Sequence, residues 1–177
     1  MIIETPRLIL RLWREADLEP FAAMSADPEV MVWLGGVLND EGVRAYKRRA
    51  DDAFATLGMC RMVIERRADG AFLGCCGLMP GHEQAPISPY IDIGWRLARS
   101  AWGGGYASEA AAAVLKDGFD RLGFPEIIAI TAQTNRRSRA VMERIGMRHD
   151  AASDFDFPGH EEADPLRATV VYRAARS

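Results

Sequence analysis

Apolar and polar positions along this chain switch between two periods, and the switches mark the elements. Leu8, Ile9, Leu10, Leu12 and Trp13 form a short apolar run with Arg7 and Arg11 set among them, which predicts a first strand. Over Ala16 to Ala26 the period lengthens, with Leu18, Phe21, Ala22 and Ser25 recurring at the three- and four-residue steps of a helix. Pro28 opens a second short helical piece through Val30, Met31 and Leu34, which Gly35 and Gly36 break. Asn39 suits the N-cap of a longer helix from Asp40 to Thr56, rich in charge and alanine and ending near Gly58.

From Cys60 the pattern is that of strands: Cys60–Glu65, Ala71–Met79 and Tyr90–Leu97. The first two flank Asp69-Gly70, a hairpin signal, and a loop with Pro and Gly from Pro80 to Pro89 precedes the third. A helix over Tyr106–Leu122, a strand over Ile127–Ala132 and a helix over Asn135–Ile145 follow. A last strand pair is predicted around Met147–Phe155 and Ala168–Ala174. With no internal repeat and no low-complexity linker, the expectation is one domain over residues 1–177, an α+β fold with antiparallel strands in its middle.

Composition narrows the function classes. At 177 residues the chain is long enough to bury its own core without disulfides or metal. Twenty-two basic against 25 acidic residues leave a net charge of −3, which disfavours nucleic acid as the main partner. No apolar run reaches membrane-spanning length and the N-terminus has no secretory core, so the expected location is cytoplasmic, with no membrane partner. Cys60, Cys75 and Cys76 lack a metal or disulfide spacing and read as buried thiols. His82, His149 and His160 are too scattered for a ligand set, so no metal is expected.

Chemistry concentrates in two stretches. Trp102-Gly103-Gly104-Gly105-Tyr106-Ala107-Ser108-Glu109-Ala110 lies between a strand and an Ala-rich helix. Three glycines either make a tight turn or let consecutive N–H groups converge on an anion at the helix start, where a diphosphate fits. A P-loop is excluded because no Gly-Lys pair exists, and a dinucleotide fingerprint matches poorly because Ser108 stands at its third glycine. The second stretch runs from Thr134 to Met147. Asn135 reads as an N-cap for the helix it opens, and Ser138, one turn in, shares a stripe with Val141, Met142 and Ile145, where an inward hydroxyl is a proton donor.

At these segments the chain resembles the GNAT superfamily of acyl-CoA-dependent N-acetyltransferases, and within it the branch of ribosomal-protein N-terminal acetyltransferases. The likeness runs through Glu4-Thr5-Pro6-Arg7-Leu8-Ile9-Leu10-Arg11, Asp92-Ile93-Gly94-Trp95-Arg96-Leu97, the glycine stretch, Asn135-x-x-Ser138 with Glu143-Arg144-x-Gly146-Met147, and Asp154-Phe155-Asp156, Leu166-Arg167 and Tyr172-Arg173. The resemblance implies a mixed, mostly antiparallel sheet flanked by helices and splayed between its fourth and fifth strands, here Tyr90–Leu97 and Ile127–Ala132. It implies acetyl-CoA in that splay, with the Leu97 backbone beside the pantetheine and Trp102, Gly103, Gly104, Gly105, Tyr106 and Ala107 on the pyrophosphate. It also puts Asn135 on the pantetheine arm and Ser138 near the thioester sulfur. Met142 stands where many members carry a tyrosine proton donor, so Ser138 or a water would protonate the leaving thiolate.

The implied reaction is direct attack of a neutral amine on the thioester in a ternary complex. An α-amine, with pKa near ~8, is cheaper to deprotonate at neutral pH than a lysine near ~10.4. Asp92 is the leading general base, Asp154 and Glu162 weaker ones, and the alternative for Asp92 is a solvent-facing strand residue. The acceptor is a protein N-terminus or a small-molecule amine. Trp33 to Gly36 offer a wall for it, and the acidic stretch Asp150, Asp154, Asp156, Glu161, Glu162 and Asp164 an attraction, unless both are ordinary packing and solvated loop. Arg136, Arg137 and Arg139 reach CoA phosphates or form a surface helix face. A non-catalytic acyl-CoA sensor shares every cofactor residue and is the alternative function. Monomer and homodimer both stay open.

Overall fold

A computed structural model describes residues 1–176. Nine strands form one sheet: β1 (Ile2–Glu4), β2 (Leu8–Arg11), β3 (Arg61–Arg66), β4 (Phe72–Pro80), β5 (Ile91–Leu97), β6 (Glu126–Ala132), β7 (Arg148–His149), β8 (Phe155–Asp156) and β9 (Ala168–Ala175). The helices are α1 (Leu18–Ser25), α2 (Pro28–Met31), α3 (Asp40–Leu57), α4 (Tyr106–Asp120) and α5 (Arg136–Arg144). The order β1-β2-β3-β4-β5-β6-β9-β7, with β8 also on β9, is antiparallel throughout except between β5 and β6.

Most elements follow from local chemistry. The Asn39 side chain accepts the Gly42 N–H at 2.9 Å, and α3 stops where Gly58 turns left-handed at φ +67°. Strand alternation sorts side chains onto two faces of the sheet. Leu8, Leu10, Met62, Ile64, Cys76, Leu78 and Ile93 point to the face covered by α4, and all are buried. Ala110 and Ala111 are fully buried, and a Cβ on Gly118 would sit 2.5 Å from Ile127, so the small residues bring α4 close to the sheet, as its alanine run predicts. The opposite face carries α1 and α3. There Arg11 reaches Asp17 at 2.8 Å and Glu65 at 2.6 Å, a partly sealed ion cluster that ties the start of α1 to the sheet.

Three readings are corrected. The N-terminal Ile2–Glu4 is a strand, too short to announce itself, and exists because Thr5-Pro6-Arg7 folds it back on β2. The second helical piece ends at Met31, short of Leu34. The strand foreseen over Met147–Phe155 is two two-residue bridges, β7 and β8, separated by a turn of 3-10 helix at Ala151–Ser153 and both laid against β9.

Candidate functional site

Among the described residues the sheet opens between β5 and β6. β5 pairs with β4 along seven residues and β6 with β9 along seven, but β5 meets β6 only at Asp92 and Ile128. Being parallel, the two strands part from that apex toward Leu97 and Ala132, which makes the splay. From the open ends the chain passes directly into the glycine loop before α4 and into Thr134-Asn135 before α5. Both helices therefore aim their N-terminal dipoles and unpaired N–H groups at the mouth of the cleft.

The glycine loop is shaped for an anion. Gly103 and Gly105 hold φ of +79° and +78°, conformations costly for any residue with a Cβ. Among the described residues, no acceptor meets the main-chain N–H of Gly103, Gly104, Gly105, Tyr106, Ala107 or Ser108, and α4 has no side-chain cap. Six adjacent donors at a helix start are a nest for a diphosphate. The loop is braced from behind. Glu109 accepts from Thr5 Oγ1 at 2.6 Å, the Arg7 N–H at 3.0 Å and Arg7 Nε at 2.6 Å, while Arg7 Nη1 donates to the Gly104 carbonyl at 2.9 Å. Burial works to raise the Glu109 pKa, but the Thr5 and Arg7 hydrogen bonds outweigh it and hold the carboxyl below its ordinary value. Arg7 also lies 4.6 Å from the Tyr106 ring centre, leaving a cation beside the nest. Sequence reading missed this brace because Thr5 and Glu109 are 104 residues apart.

Trp102 spans the mouth. Its indole N–H donates to the Leu97 carbonyl at 2.9 Å, and the Arg137 guanidinium stacks 4.2 Å from its ring, so β5 and α5 are linked across the gap. Asn135 caps α5 by accepting the Ser138 N–H at 3.2 Å and donates to Thr131 Oγ1 at 2.9 Å, leaving one N–H and one lone pair for a ligand. A cleft of about 460 Å³ lies beside it, lined by Pro28, Glu29, Val32, Trp33 and residues 134–137. It brings Trp33, Asn135, Arg136 and Arg137 together, whereas Asp92 and Ser138 do not line it. Ser138 is partly buried on α5, and its hydroxyl has no hydrogen-bond partner among the described residues. Met142 beside it is 1% exposed, packed as core. Arg139 is held by Tyr172 Oη at 3.2 Å and the Gln133 carbonyl at 3.1 Å, so of the three arginines only Arg136 and Arg137 face the cleft.

Asp92 sits at the apex, on the α1–α3 face, and pairs with Arg61. Its side chain is 17% exposed, not the open strand position considered above. Arg61 gains its place because Gly94 has no side chain: a Cβ there would lie 2.3 Å from Arg61 Nη1. Burial raises the Asp92 pKa above the ordinary carboxylate value, with Arg61 and the Ile130 main-chain amide only partly opposing it. The acidic C-terminal stretch is largely spoken for: Asp150 pairs with Arg173, Asp154 with His149, Asp156 with Arg167 and Asp164 with His160. Cys60, Cys75 and Cys76 are free and buried, and burial pushes the thiols of Cys60 and Cys76 up to about 12. Among the described residues no helix is long and apolar enough to cross a membrane.

Comparison with known proteins agrees with this geometry. The family model for an acetyltransferase (GNAT) domain matches residues 7–148. YkkB of Bacillus subtilis (strain 168), itself uncharacterised, is 32% identical over 146 residues, 82% of this chain and 84% of its own. The crystal structure of an acetyltransferase from Agrobacterium tumefaciens str. C58 superposes with a TM-score of 0.81 at 27% identity, covering 99% of this chain and 95% of that one. At 16% identity and a TM-score of 0.81, covering 99% and 98%, the fold is also that of RimL, a ribosomal L7/L12 alpha-N-protein acetyltransferase solved with coenzyme A. A family model that covers most of the chain, including the strand splay and the glycine loop, shows that this chain belongs to the GNAT family of acyl-CoA-dependent acetyltransferases.

Proposed function

We propose that this chain is a single N-acetyltransferase domain that moves an acetyl group from acetyl-CoA to a primary amine, a protein N-terminus or a small-molecule amine, by direct attack while both substrates are bound. The row of six main-chain N–H groups from Gly103 to Ser108, unpaired among the described residues and at the wide end of the splay between β5 and β6, carries this reading. Those donors and Arg7 suit the diphosphate, Asn135 and the Leu97 edge the pantetheine arm, and Arg136 and Arg137 the outlying phosphate. Bound there, acetyl-CoA supplies an activated acyl carbon. The protein's own residues supply orientation and proton transfer.

Asp92 takes a proton from the acceptor's ammonium, directly or through a water, so that the neutral amine attacks, and its raised pKa makes it a better base than an ordinary carboxylate. Ser138 donates to the departing thiolate, since Met142 has no proton to give. Both roles are proposals drawn from position on β5 and α5. The likeness to RimL in fold makes a peptide N-terminus a natural first acceptor to try. The test follows free-thiol release from acetyl-CoA over N-terminal peptides, polyamines, aminoglycosides and amino-acid derivatives. Acceptor-dependent release is the expected result. Tight CoA binding with no turnover on any acceptor would instead assign a non-catalytic acyl-CoA sensor.

A further inference from the structure

Arg96 is a part-buried cation without a counter-ion among the described residues. Arg96 is on β5, on the same face as Asp92 and Gly94, beyond the apex where β5 has parted from β6. Its Nε is sealed from solvent and has no hydrogen-bond partner. Nη1 reaches only the Ser25 hydroxyl, at a long 3.5 Å. Beneath it lie Phe21 and Tyr46, whose ring centres are 4.8 Å apart and 5.5 and 5.1 Å from the guanidinium carbon. Among the described residues no carboxylate comes within ion-pair distance, and Asp92, on the same face of β5, is committed to Arg61.

A guanidinium part-buried on aromatic rings without a counter-charge is an unfavourable arrangement for a protein on its own, and an anion brought by a ligand to its Nη edge relieves it. The CoA phosphates are not that anion. Their nest opens before α4, which covers the other face of the sheet, whereas Arg96 projects to the α1–α3 face. That leaves the acceptor. Arg96 and Asp92 are four residues apart on one extended strand, about 13 Å between Cα atoms, with the Arg61 guanidinium over Gly94 between them, so a carboxylate held at the tip of Arg96 lies on the face that carries the base. The planar guanidinium fork matches a carboxylate edge to edge.

Resting on the acetyl-transfer reading above, we propose that Arg96 is a specificity-determining residue that binds a carboxylate of the amine acceptor, so that the preferred acceptors are carboxylate-bearing amines such as amino acids. The test follows the Arg96 side-chain Nε–H resonance of ¹⁵N-labelled protein, identified by its loss in Arg96→Lys, with and without saturating CoA. The probes are N-acetylglycine, N-acetylalanine, N-acetylleucine and N-acetylphenylalanine beside their primary amides, and phosphoethanolamine. The carboxylates are expected to shift the resonance and the amides not. No shift with any carboxylate, an equal shift with the amides, or a shift with phosphoethanolamine alone overturns the proposal. In parallel, the ratio of kcat/KM for amino acids over amino-acid amides is expected to exceed unity by about 10- to 100-fold and to collapse toward one in Arg96→Gln, with Arg96→Lys keeping part of it. A purely structural Arg96 would lower both substrates together. Failure of CoA itself to bind would sink the acetyl-transfer reading, while the carboxylate titration without CoA still decides the role of Arg96.

Discussion

Replacing Gly103 by alanine isolates the conformational demand of the nest, because a Cβ built there meets nothing within 4 Å. No clash confuses the result. What changes is the backbone: φ is +79° at this residue, and holding an alanine in the left-handed region costs about 1–2 kcal/mol. The free loop escapes that cost by relaxing to negative φ, which turns N–H groups out of the row. Binding a diphosphate must then restore the strained shape, so affinity for CoA should fall by about 5- to 30-fold. If one charge-assisted hydrogen bond is lost as well, worth about 1.5–3 kcal/mol, the loss grows by a further tenfold or more. Pantetheine, which has no diphosphate, should bind the variant as it binds the wild type. Isothermal titration of both ligands on both proteins gives the double difference directly. Equal weakening of CoA and pantetheine, or CoA affinity within twofold of wild type, would refute the claim that this loop holds the diphosphate through its backbone.

Asp92→Asn should lower kcat by about 10²- to 10⁴-fold. It should also change the acid side of the pH profile: because Asp92 takes up the proton that the ammonium gives up, wild-type log kcat/KM should be level between the amine pKa and the raised Asp92 pKa and fall with slope one below the latter, whereas the variant should fall with slope one from the amine pKa downward. An unchanged rate and slope would remove Asp92 from the reaction. Glu109→Gln unties the Thr5-Arg7 turn from α4 and should cost about 1–3 kcal/mol at pH 7 by denaturant unfolding. Because the folded carboxyl titrates below its unfolded value of about 4.5, its contribution is complete above that pH and is lost as pH falls through the lower folded pKa. The gap between the two proteins should therefore close on acidification, and a gap independent of pH would contradict the brace. Ser138→Ala should reduce kcat by about 10²-fold while pantetheine still binds, and a normal kcat would hand the thiolate proton to water.

The amino-acid sequence by itself determined the elements and the chemistry that is local. The α3 cap at Asn39, the stop at Gly58, the alanine face of α4 and the glycine row before it all depend on residues within a few positions of one another. Local geometry of that kind is written in spacing and residue type. The fold followed from the order of these pieces and from their likeness to a known family, and the family model agrees. The short strands β1, β7 and β8 were not legible, because two or three residues carry no period and are strands only through their partners.

Tertiary structure alone decided what each candidate side chain does with its charge. It put Asp92 at the apex against Arg61 across a missing Gly94 side chain, spent the C-terminal acids on neighbouring cations, and left Arg96 with none. Charge pairing depends on which side chains meet within a few ångströms, and at the site the Asp92–Arg61 and Glu109–Arg7 partners lie 31 and 102 residues apart. Such distances are set by the sheet order and its register. No window along the chain contains them.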